Sequence, residues 1–221
     1  MENYGILLSL GIIVTVVVCG VWAGVTATRR RRLRAVAAHW GWDYTPTDWG
    51  WTQGRRPVGF DVEMQFRWGS PRDIMTGQHG SSTFVAFTTP TSDKKNPVYG
   101  VVAVRLPVVL PEVVLTREGL GTMVAKAFGG QDLLIGHPAF DARYRIQAHD
   151  IGYVSTLLNP AVIAWLMAPV RWDQFTVKNQ YLVARTTDGL SYEHLPWMLD
   201  DLAYLVSCIG DDVWRGWGVP T

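Results

Sequence analysis

"FDARYRIQA", Phe140 to Ala148, sets Phe140, Tyr144 and Ile146, with small Ala142 and Ala148, against Asp141, Arg143, Arg145 and Gln147. A period of two is the signature of a strand whose neighbouring side chains point to opposite faces. "VGFDVEMQFRW", Val58 to Trp68, repeats the pattern more cleanly, with six apolar residues alternating with five small or polar ones. Alternation of this kind indicates an antiparallel sheet with one wet face.

Working outward, further strands are expected at Thr83–Thr89 and at Tyr99–Leu106, with a short one at Val113–Leu115. The run at Tyr99–Leu106 is more continuously apolar and therefore more deeply buried. "GSPRDIMTGQHGSS" between the first two strands reads as a turn-rich loop. Phe175–Val177 and Tyr181–Arg185 flank "KNQ" as a hairpin. Helices are expected at Leu120–Phe128, Ile151–Leu158 and Pro160–Ala168, with Pro160 suited to a helix start. The last helix, Tyr192–Ile209, buries Leu195, Leu199, Leu202, Val206 and Ile209, and Ser191 is placed to cap it. Strands in runs with helices gathered late predict an α+β fold, a mainly antiparallel sheet with helices packed on one face.

The N-terminus reads differently. Gly5 to Thr28 is a run of 24 residues without charge. A bilayer core of about 30 Å needs roughly 20 apolar residues in a helix. Arg29, Arg30, Arg31, Arg32 and Arg34 follow at once, and a basic flank marks the cytoplasmic side of a span. The expectation is a single-pass membrane protein with its N-terminus outside and its C-terminal domain in the cytoplasm. The division that follows is a transmembrane anchor at 1–28, a basic juxtamembrane helix and linker at 29–57, and a cytoplasmic α+β domain at 58–221. Leu33, Val36, Ala37 and Trp40 carry a helical apolar stripe out of the span, and Gly41 ends it. Trp22, the five arginines and Trp40 are then membrane-interface residues, and Trp42 is placed against the headgroups with them. Gly20 and Gly24 have the spacing of a helix-dimerisation face and are candidates for a homodimer contact through this helix, although such spacings also arise often by chance.

Charge argues against nucleic acid as a partner. Beyond Arg34, 15 basic residues face 18 acidic ones, about −3 for residues 35–221. A nucleic-acid protein spreads basic charge over a folded face; here the charge abuts the apolar run. The expected partners are membrane lipids and a protein. Two cysteines, Cys19 and Cys208, make no disulfide framework.

At "HPAFDARYRIQAHD", His137 to Asp150, and the "LLNPAVIAWLM" that follows, the chain resembles a bacterial family of membrane-tethered proteins with a cytoplasmic domain of unknown function. The shared positions are Phe140, Tyr144, Ile146, Asp150 and Leu158-Asn159-Pro160. The resemblance implies a packing motif followed by a helix, a β-hairpin and a final helix. It carries over no catalytic residue.

Chemistry-bearing candidates are few. His137, Asp141, His149 and Asp150 include the elements of a metal cluster, but Asp141 and His149 would lie about 26 Å apart along a strand. No metal and no cofactor are expected. "GLGTMVAKAFGG", Gly119 to Gly130, fits neither the dinucleotide nor the P-loop pattern. No G-x-S-x-G elbow occurs. His79 in its loop, beside Ser81 and Ser82, is the remaining catalytic candidate. The expected function is a non-enzymatic protein- or lipid-binding module at the inner membrane face. The alternative is a membrane-anchored hydrolase around His79.

Overall fold

A computed structural model describes residues 2–47, 71–90, 98–118, 133–169 and 172–220, with side chains from Val17 onward. The strand expected at Val58–Trp68 and the helix expected at Leu120–Phe128 lie outside the described residues. The described chain is α+β. Helix α1 (Glu2–Trp40) leads into β1 (Asp43–Thr47), β2 (Arg72–His79), β3 (Ser82–Pro90) and β4 (Val98–Arg117). The one-turn helix α2 (Pro138–Asp141), β5 (Tyr144–Ala148), α3 (Ile151–Leu157), α4 (Pro160–Met167), β6 (Gln174–Thr186), α5 (Leu195–Cys208) and α6 (Asp211–Gly216) complete it.

The six strands form one antiparallel sheet in the order β1-β2-β3-β4-β5, and β6 also pairs with β4. Strand β4 is its spine. Its first half lies between β3 and β6, and its second half between β5 and β6. The register shifts between Arg105 and Leu110 and again between Leu110 and Val113. Pro107 and Pro111 fall in these two intervals, and neither has an N–H to give to the ladder. The two strands expected at Tyr99–Leu106 and Val113–Leu115 are thus one interrupted strand. The expected hairpin at "KNQ" is likewise corrected: β6 runs straight through it. The turn signal survives only as Asn179 at φ +54°, opposite Leu110.

One face of the sheet carries the main core. Met75, Phe84, Val102, Val104, Leu115 and Ile146 project from it onto Tyr153, Leu157, Val162, Leu199, Leu202 and Val213 of the helices. The other face has its own buried cluster of Ile74, Val85, Phe87, Val101, Ala103 and Tyr181. A single wet face therefore does not hold at β3–β4, and the continuously apolar run at Tyr99–Leu106 is buried on both sides. The loop expected around "PRDIMTGQH" is strand β2. Its register against β3 shifts between Arg72 and Met75, at a bulge where Asp73 has φ +52°, and the successive residues Ile74 and Met75 are buried on opposite faces, so no polar–apolar alternation betrays the strand.

The resembling motif does pack. Phe140, Tyr144 and Ile146 are buried, and the Tyr144 hydroxyl donates to the Leu166 carbonyl at 2.9 Å. Asp150 caps α3 by accepting from Tyr153 N–H, and Asn159 caps α4 by accepting from Ala161 and Val162 N–H ahead of Pro160. The alternation breaks at its start, because Pro138–Asp141 is a helical turn capped by His137. Gln147 is buried rather than exposed. The last helix begins at Leu195, three residues late, and no side-chain bond caps it; Ser191 instead meets His194 Nδ1.

Among the described residues no helix is long and apolar enough to cross a membrane. This corrects the expected single-pass protein with its N-terminus outside and cytoplasmic domain, and with it the anchor at 1–28. The core also reaches back into α1 and the segment after it, taking in Leu33, Ala37 and Trp42.

Candidate functional site

The C-terminal half of α1 lies against the sheet, and two clusters of polar and aromatic side chains hold it there. The first centres on Asp73. Its bulge aims a buried carboxylate at α1, where Arg29 Nη2 donates to Oδ2 at 2.8 Å. Tyr44 Oη donates to Oδ1 at 2.7 Å, and the Tyr192 hydroxyl donates to the Asp73 carbonyl. One bulge residue therefore ties α1, β1 and the segment before α5. Burial, then the bond to Asp73 and its charge, push the Tyr44 phenol well above its ordinary value, against the pull of Arg30 and Arg34. Burial does the same to Tyr192. A buried carboxylate is costly unless paired and hydrogen-bonded, and Arg29 and Tyr44 supply both.

The second cluster lies where α1 ends. Gly41 at φ +68° stops the helix, and Trp42 N–H reaches back to the Ala37 carbonyl at 2.8 Å. This folds Trp42 into the core, edge-on to Phe84 at 4.8 Å, with its Nε1 donating to the Gln78 carbonyl. Its place against headgroups is corrected: the indole covers Gly77, where a Cβ would come within 2.6 Å of the ring. Trp40, half exposed, stacks on Trp42 at 5.6 Å. The His79 ring contacts both indoles, at 5.7 and 5.9 Å.

His79 ends β2, and its Nε2 meets Asp200 Oδ1 of α5 at 2.7 Å. The imidazole is 13% exposed and the carboxylate 67%. The turn Gly80-Ser81 follows, with glycine at φ +57° in the first position, as a two-residue hairpin turn of type II′ requires. Ser81 and Ser82 adjoin His79 in sequence, but no hydrogen bond joins either to the imidazole among the described residues. The site thus has an acid and a base without a positioned nucleophile. The neighbouring acid, Asp201, is occupied with the indole N–H groups of Trp165 and Trp172, at 3.1 and 3.3 Å. His137 and Asp141 serve the local backbone: His137 Nδ1 accepts from Phe140 N–H, and Asp141 accepts from Ile135 and Gly136 N–H.

The other half of α1 is open. Val17, Val18, Val21, Trp22 and Val25 are 57–72% exposed. A Cβ placed on Gly20 or Gly24 would meet nothing within 4 Å. Arg30, Arg31, Arg32 and Arg34 are exposed. Between the two halves, α1 and the segment from Leu190 to Glu193 border an open groove of about 770 Å³. Val21, Val25 and Gly24 line one end, and Arg29, Arg32 and Thr28 the other.

Asp73, Tyr44, Tyr192 and Asp200 were not singled out as site residues by the sequence. Each acts through a partner 29 to 121 positions away, and no local spacing encodes such a pair. The one usable signal was Asp73 in a turn-like context, since aspartate tolerates positive φ better than most residues.

No protein-family model matches the chain, and no curated protein sequence matches it. Among solved structures, the fold is similar to the crystal structure of the mycobacterial trehalose monomycolate transport factor A, TtfA, with a TM-score of 0.55 and 16% sequence identity over 87% of this chain and 98% of that one.

Proposed function

We propose that the chain is a non-enzymatic binding module that docks a protein or lipid partner through the exposed face of α1, in an accessory role within a transport process. The observation that carries this is the contrast within α1. Arg29 and Leu33 fix the helix to the sheet, while Val17, Val18, Val21, Trp22 and Val25 stay exposed ahead of them. An exposed apolar patch held at a fixed angle is a usual mark of an interaction surface. The transport element is taken from the name of the similar structure, at the level of fold alone.

The test is capture by the full-length chain in mild detergent, compared with the double variant Val18→Glu, Trp22→Glu. Both residues are exposed, so the fold should be unaffected. The variant should lose the species held by the natural chain. Retention of every captured species by a folded variant would sink the reading.

A hydrolase is the second reading, favoured by the His79–Asp200 contact. It requires that Ser81 or Ser82 be labelled by a fluorophosphonate probe and that His79→Ala abolish the labelling. An unlabelled natural chain rules this chemistry out.

A further inference from the structure

We infer that the groove between α1 and Leu190–Glu193 is a binding site for a single amphiphile with an anionic head, a long-chain phosphate monoester or carboxylate. This rests on the reading of α1 as a binding element and assigns a ligand class to one face of it.

The groove is polarised along the helix. Val21 and Val25 lie at one end with Gly24, whose missing side chain keeps the floor open. Arg29 and Arg32, one turn apart and on the same face, lie at the other. Arg32 stands 11 residues beyond Val21, about 16 Å along the axis, which suits an extended alkyl chain of about a dozen carbons. The volume of about 770 Å³ falls inside the roughly 300–1,000 Å³ of ordinary small-molecule sites.

Charge selects the sign of the head. Arg29 uses one donor on Asp73 and is 56% exposed, which leaves further N–H groups for a ligand. Arg32 is exposed and lines the groove. Glu193, on the opposite wall, opposes an anion, and Asp73 is the other acid at the site. Among the lining side chains two arginines face one carboxylate, so the positive sign at this end rests on Arg32 and on the donors of Arg29 that Asp73 leaves free. Forked guanidinium donors match phosphate and carboxylate oxygens, and an alkyl tail lying along the exposed Val21 and Val25 would remove apolar surface of both from water. A cationic head would meet the repulsion of that field, and a bare anion would leave the valine end unused.

Isothermal titration calorimetry of the full chain with dodecyl phosphate, held below its micelle concentration, tests the assignment. Saturable one-site binding is expected, at least about ten-fold tighter than for inorganic phosphate or dodecanol. Arg32→Gln should weaken it by about ten-fold with an unchanged circular dichroism spectrum, and Gly24→Phe should weaken it by filling the tail end. Equal binding of inorganic phosphate reduces the groove to an anion site and overturns the proposal. Equal binding of dodecanol, or binding only to phosphatidylglycerol vesicles, overturns it as well. The capture experiment changes Val18 and Trp22, neither of which lines the groove, so the two readings fail separately. A chain that captures its partner but ignores dodecyl phosphate loses the groove assignment and keeps the docking role.

Discussion

Both described halves of α1 carry apolar residues, and these have opposite fates. Leu33 and Ala37 are 8% and 2% exposed, while Val21 and Trp22, three to four turns earlier, are 63% and 72% exposed. Hydrophobicity alone would bury the wrong half, since the uncharged residues 17–28 stand exposed and the arginine-rich residues 29–40 supply the core contacts. What differs is the surface opposite. Past Arg29 the helix meets β1 and the bulge of β2; before it, the described protein offers only the rim at Leu190–Glu193. An apolar residue on a helix belongs to a core only where another element arrives to cover it, and the Arg29–Asp73 pair marks that boundary.

The sharpest way to break the contrast is to unseat the buried half. Trp42→Ala removes the indole that covers Gly77 and packs on Phe84, and should cost about 3–5 kcal/mol in denaturant unfolding. A loss near the size of a surface change would mean that α1 is not held by this residue. Arg29→Met leaves Asp73 buried with only its tyrosine partner. Removing one member of a buried pair costs about 3–5 kcal/mol, but this arginine is 56% exposed, so about 1–3 is expected after solvent screening. The double variant with Asp73→Asn should recover part of that loss, and strict additivity would show that the two groups do not interact.

Alkaline pH probes the same anchor without mutation. Tyr44, Tyr144, Tyr153 and Tyr192 are all raised above the ordinary value of 10.0, with burial the largest cause in each. Above that value the unfolded chain releases phenolic protons that the folded chain keeps. Their stabilisation is therefore complete below pH 10 and is lost as pH rises toward the folded values. For the well-buried Tyr153 and Tyr192 the loss is about 1 kcal/mol each by about pH 11. Arg185, held down to about 10 by burial, works in the opposite direction and offsets about as much as one of these tyrosines loses. Tyrosinate absorbance should rise together with loss of ellipticity; tyrosines that titrate freely in the folded chain would contradict their burial.

The smallest effect is expected on the open half. Val21→Ser should change stability by no more than about 0.5 kcal/mol in the same unfolding assay, because its side chain already stands largely in solvent. A cost of several kcal/mol would mean that this half is covered in solution, and the contrast would fall.

Much of the fold was legible because it is written in neighbours. Local period placed β3, β5, α3 and α4 and the stripe of α5 close to where they lie, and Pro160 and Gly41 mark a helix start and a helix stop. These features depend on residues within a few positions of one another, and sequence by itself determined them. Strand β2 was hidden because Ile74 and Met75 are buried on opposite faces, which leaves no polar–apolar alternation. The continuity of β4 and β6 was hidden because prolines and Asn179 give turn signals that pairing along a long ladder overrides. The 24-residue uncharged run suggested a span, which the described helix does not supply. Of the candidate site, His79 was visible as a loop histidine, but its partner Asp200 was not, nor was the Asp73 anchor. Only tertiary structure decided these, since a contact between positions 79 and 200 depends on how β2 and α5 pack. The same packing decided which apolar residues of α1 are core and which are surface, because burial depends on what lies opposite a residue rather than on the residue alone.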